Sequence, residues 1–179
     1  MKLRLMGLAC LCLLLVSPPP ASGASRDEYE LKAAFLLNFA RLIDWPEDFR
    51  PKGGAPWVVA VVGDLDVVET LRKSLDEARV DDAPVAVRAV SEAGELIGTH
   101  ILFITRAGGE SEDIAAAAAG RPVLTVGEAK DFASRGGMVN FVNRDKKLRF
   151  EINHEAARAA GLKISSRLLR LALLVEDSG

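Results

Sequence analysis

The stretch WVVAVVG, Trp57 to Gly63, decides the fold. It is a nearly unbroken apolar run closed by glycine. A strand with one wet face would alternate, so this one is covered on both faces. The residues after it repeat the pattern. Asp64 or Asp66 can cap a helix through VVETLRKSLDEAR (67–79), and APVAVRAV (83–90) is a second strand. THILFIT (99–105) is a third strand, again apolar on both sides. GGESEDIAAAAAG (108–120) predicts a short helix, RPVLTVG (121–127) a fourth strand and EAKDFASRG (128–136) another short helix. GMVNFVNRDKKLRFEIN (137–153) then reads as a hairpin, with Arg144 and Asp145 in its turn and period-two alternation through Leu148, Phe150 and Ile152. Strands separated by helices give a parallel sheet wrapped on both sides. The expected fold class is α/β: a single three-layer α/β/α domain, its mostly parallel sheet joined by a late antiparallel hairpin.

Towards the N-terminus, RDEYELKAAFLLNFARLIDWP (26–46) is a helix stopped by Pro46. At roughly 100° per residue, Phe35, Leu36, Phe39, Ala40, Leu42 and Ile43 share one broad face, and Lys32 lies anomalously on the same side. Ahead of it, Lys2 and Arg4 precede the apolar run LMGLACLCLLLV (5–16) and the small-residue segment SPPPASGAS (17–25). That order makes residues 1–24 a secretory signal peptide, cleaved near Gly23 or Ala24, and the run is too short to span a bilayer. The remaining 25–179 form one domain in the periplasm. Cys10 and Cys12 leave with the leader, so disulfides, thiolate metal sites and cysteine nucleophiles are excluded from the mature chain. Of the 23 basic residues, Lys2 and Arg4 also leave, and 21 then face 25 acids for a net charge of −4. A mildly acidic body without a basic run argues against nucleic acid as a partner.

The candidate chemistry is thin. His100 and His154 stand in different elements without metal-ligand spacing, so no metal and no cofactor is expected. VVGD (61–64) resembles a phosphate turn but lacks its further glycines. Lys163 and Ser165 could form a nucleophile and base in extended LKIS, yet Ser165 and Ser166 directly precede the amphipathic helix RLLRLALLVE (167–176), where serine is a preferred N-cap. Gly161 closes the preceding helix in the same way. Capping explains these residues without catalysis, and no enzyme activity is expected.

Three blocks of the chain resemble the YfiR-like family of bacterial periplasmic proteins, in that family's order: YELKAAFLLNFARLIDWP (29–46), GGMVNFV (136–142) and LRFEINHEAARAAGLKISSRLLRLA (148–172). VVGD, THILFI and PVLTVGEAKDFA fit its middle. The resemblance implies a non-enzymatic regulator that restrains a membrane-bound diguanylate cyclase by binding its periplasmic part. Members of that type can carry disulfides, which the cysteine-free mature chain here lacks.

Two readings place candidate sites. As a regulator, the chain would present apolar surface from its first helix (Phe35, Leu36, Phe39) and from its last (Leu169, Leu173, Leu174), since the arcs are wider than one small core needs. Such a surface predicts a homodimer that docks the inner-membrane partner. As a small-ligand sensor or carrier, it would bind in a crevice at the carboxyl ends of the strands, near Asp64, Arg106 and Gly127. Lys32 either lays its stem along the core or forms a partly buried pair, for which Glu151 is the expected partner.

Overall fold

The computed structural model describes residues 25–109 and 111–175; the leader expected at 1–24 lies outside them. Ser25 opens helix α1 (Arg26–Leu42), its hydroxyl accepting from the Glu28 amide at 3.3 Å, and Asp27 and Glu28 favour the positive end of the helix dipole. The chain then extends through β1 (Ile43–Asp44) and the loop to β2 (Trp57–Val62). That loop is pinned by aromatic packing. Trp45 and Phe49 fold back onto Trp57 and His100, with ring centroids 4.8 Å apart for Trp57–His100 and 5.5 Å for Phe49–His100. His100 Nδ1 accepts from the Val58 amide at 3.0 Å, while Nε2 lies 3.1 Å from the Phe49 carbonyl, to which it donates. The ring is therefore neutral, and its burial lowers the pKa.

Helix α2 (Leu65–Leu75) follows β2, then β3 (Arg79–Val80) and β4 (Ala83–Ala89), and a short 3₁₀ turn at Ala93–Leu96 leads to β5 (Ile101–Ile104). Helix α3 (Glu112–Ala118), β6 (Leu124–Gly127), β7 (Val139–Arg144) and β8 (Lys147–Asn153) come next. The chain closes with α4 (His154–Ala159), β9 (Lys163–Ile164), α5 (Ser166–Leu169) and β10 (Leu173–Val175). Eight strands form one sheet in the order β10-β8-β7-β6-β5-β2-β4-β3, and β1 pairs with β9 apart from it. The pairs β7–β8 and β3–β4 are antiparallel, and the rest of the large sheet is parallel. The architecture is α/β, with a mostly parallel sheet.

Two apolar clusters show why both faces had to be apolar. Val59, Val61, Ile101, Phe103 and Val126 face α1 and α2, whereas their neighbours Ala60, Val62, Leu102 and Ile104 face α3. Each face takes alternate residues of the same buried strands, as the pleat requires.

Three expectations change. Residues 128–136 form turns rather than a helix: Asp131 takes φ 60, which a helix does not admit. The hairpin turn is Asp145-Lys146, both left-handed (φ 52 and 59), because Arg144 still pairs with Lys147. The long closing helix is only α5; its continuation becomes β10, which pairs along β8. Ladder bonds to an otherwise open strand edge outweigh the helical spacing of its leucines. Ser165, not Ser166, caps α5 by accepting from the Leu168 amide at 3.3 Å.

Candidate functional site

Helix α1 crosses the carboxyl ends of β5 and β6, and Lys32 meets them there. Its ammonium lies 2.9 Å from Glu128 Oε1 and 2.7 Å from Glu28 Oε1, and the side chains of Lys32 and Glu128 are each 1% exposed. Glu128 Oε2 accepts two further bonds, from the Tyr29 hydroxyl at 3.3 Å and from the Arg106 amide at 3.1 Å. The Lys32 ammonium also sits 4.4 Å from the centre of the Tyr29 ring. Burial first, then the adjacent Glu128 carboxylate, pushes the Tyr29 pKa up, so the phenol stays a donor. One buried carboxylate thus joins α1, the end of β5 and the end of β6.

The partner expected for Lys32 is corrected by this arrangement. Glu151 instead accepts from Asn140 Nδ2 at 3.2 Å and lies 3.7 Å from Arg144, both on the facing strand. Its neighbours Phe150 and Ile152 pack beneath α1, so the two-residue period turns Glu151 to the opposite face of the sheet. No rotation of its side chain could reach Lys32 through the strand.

Beside the network is an open cleft of about 690 Å³. Asp64 reaches it from just past the end of β2, Asp66 from the first turn of α2, Arg106 from the end of β5, and Arg26 and Tyr29 from α1. The structure therefore brings Asp64 and Arg106 to one depression. Gly127 does not join them: it is buried, and a β-carbon on it would stand 2.4 Å from the Phe132 ring. A second hollow of about 480 Å³ lies on the α3 side, walled by Ala115, Ala116, Ala119, Phe132 and Met138.

The apolar candidates divide. Leu36 and Phe39 are fully buried, and Phe35 packs at an angle against Phe141 and edge-on against Phe150, at 5.9 and 5.5 Å between centroids. These three belong to the core, because an eight-stranded sheet offers a floor wide enough to absorb the whole apolar arc of α1. Leu169 and Leu173 are half-buried, whereas Leu174 is 64% exposed on the terminal strand and Leu171 just before it 63%. Lys163 is exposed and pairs through its backbone with Asp44, and the Ser165 hydroxyl serves its cap. Among the described residues no group of three His, Cys, Asp or Glu side chains could hold a metal, and no helix is long and apolar enough to cross a membrane.

The model of one family, described as YfiR/HmsC-like, matches residues 29–173. The chain belongs to the YfiR/HmsC-like family. No curated protein matches it. The family match begins at Tyr29 and ends at Leu173, so it takes in every member of the Glu128 network except Glu28, and reaches into β10. In this YfiR/HmsC-like chain the sequence pointed to Lys32 as out of place, and missed Glu128. The signal for Glu128 was its position, a lone acid directly after an apolar strand that ends beneath the first helix.

Proposed function

We propose that this chain is a non-enzymatic periplasmic regulator that binds and restrains the periplasmic part of a membrane-bound signalling protein, a diguanylate cyclase. Family membership supports the regulatory class. The observation that carries the docking surface is the sheet edge at β10. No described strand pairs with its outer side, Leu174 stands exposed on it, and Leu171 stands exposed in the turn just before it. An unpaired strand edge offers amides and carbonyls to a partner strand, and exposed leucines add apolar area to the same contact. We assign the homodimer expected from the sequence to this edge too, so that a second copy and the membrane partner compete for it.

Leu174→Glu combined with Leu171→Glu tests this reading. The variant should keep the wild-type circular dichroism and urea midpoint, run as a monomer in light scattering, and fail to capture the periplasmic domain of the cyclase. A folded variant that still binds the cyclase domain and still dimerises would remove β10 as the surface.

A further inference from the structure

The chain order across the sheet singles out one place. From β2 the chain passes through α2 to β4 on one side, then returns past β2 to β5 on the other. The connections thus leave in opposite directions at the carboxyl ends of β2 and β5, and a doubly wound sheet opens a crevice where its order reverses in this way. The 690 Å³ cleft lies at that reversal, with Asp64 and Asp66 on the β2 side and Arg106 on the β5 side.

Its charges are distributed rather than uniform. Lys73 at the rim is paired with Glu69 at 3.3 Å, and Arg26 with Glu30 at 3.5 Å. The Asp64 and Asp66 carboxylates and the Arg106 guanidinium make no hydrogen bond or ion pair with a described residue. Asp64 precedes α2 without making a capping bond, so its carboxylate is not committed to the helix. The β2–α2 side of the cleft therefore carries two uncommitted carboxylates, and the β5 side an uncommitted guanidinium. The backbone that carries Arg106 is fixed in place, since its amide and the neighbouring Tyr29 hydroxyl are both held by the buried Glu128.

We propose that this cleft binds a short peptide with free ends, its ammonium against Asp64 and Asp66 and its carboxylate against Arg106. A simple anion would meet two carboxylates, and a simple cation the guanidinium; only a ligand carrying both charges, separated, satisfies both sides. The volume suits a ligand of a few residues rather than a single amino acid. This site lies apart from the β10 edge, so its failure would leave the docking surface standing, and the reverse.

Trialanine is the probe, because it offers two charged ends with little else. Titration calorimetry on the chain from residue 25 should show saturable binding. N-acetylation or C-amidation of the peptide should each weaken it about tenfold, the size of one charge-assisted contact. Arg106→Gln should remove the sensitivity to C-amidation only, and Asp64→Asn with Asp66→Asn the sensitivity to N-acetylation only. Arg106 is exposed and only its amide serves the buried network, asparagine at 64 remains a good residue ahead of α2, and position 66 is exposed in the first turn of that helix, so these variants keep the fold. The proposal is overturned by an absence of saturable trialanine binding, by equal affinity for the capped peptides, or by variants that bind all forms as the wild type does.

Discussion

Lys32 is held where a lone ammonium could not stay. Removing it leaves Glu128 and Glu28 facing each other without the charge between them, and one partner lost from a buried pair costs about 3–5 kcal/mol. Lys32→Met should lower stability by that amount in urea unfolding, and adding Glu128→Gln should restore part of it, since the amide oxygen still accepts from Tyr29 and Arg106. A Lys32→Met chain as stable as wild type would show that the pair is dispensable. The helical spacing made Lys32 conspicuous, but no local pattern names a partner that arrives from another element. Strand parity could at least have excluded Glu151, because Phe150 and Ile152 claim the inward face. His100 gives a second test. Its folded pKa is depressed by burial, whereas an unfolded histidine titrates near about 6.5. Below that value the unfolded chain binds the extra proton, so this contribution to stability is full above about pH 6.5 and is lost as pH falls towards the folded pKa. Unfolding midpoints between about pH 7.5 and 5.5 should decline for the wild type, and the decline should be shallower in His100→Gln.

At the scale of single elements, the caps and turns decide what the leucine and alanine patterns leave open. Ser165 alone caps α5, so Ser165→Ala should lower stability by about 1 kcal/mol, while the exposed Ser166→Ala should change it by less than about 0.5 kcal/mol. Equal effects in urea titrations would mean that the cap is shared. The pair Ser165-Ser166 was legible as a cap but not which serine served, since that depends on where α5 begins to coil. The turns at 128–136 were illegible for a different reason. Their composition admits a helix, but the Glu128 carboxylate is anchored under α1, and Phe132 lies against both Gly127 and Gly137, where added β-carbons would stand 2.4 and 2.2 Å from it. Long-range anchoring overrides a short segment's own preference.

For the molecule as a whole, the strands were legible because burial on both faces leaves an apolar run that no other element of that length needs. The order of the strands, and with it the reversal beside Asp64, was not legible, since an apolar run does not say which strand it pairs with. The use made of α1 was not legible, since the apolar arc of a helix does not say how wide a floor awaits it. The consequence can be measured. Phe39→Ala should cost about 3–5 kcal/mol as a core truncation, whereas Leu174→Glu at the sheet edge should leave the unfolding midpoint unchanged; a mild Phe39→Ala would return that residue to the surface. The same floor bears on how the chain reaches its fold. Phe35 and Phe39 lie near the start of the described chain, yet the rings they pack against, Phe141 and Phe150, are in the late hairpin. During synthesis α1 can pack early on β2 and α2, but the Phe35–Phe39 part of its face lacks the rings of β7 and β8 until those strands have followed. Contacts so distant in sequence slow folding and leave sticky intermediates. Part of that face stays uncovered until almost the last strand is made, and a nascent chain of this kind is open to aggregation until then.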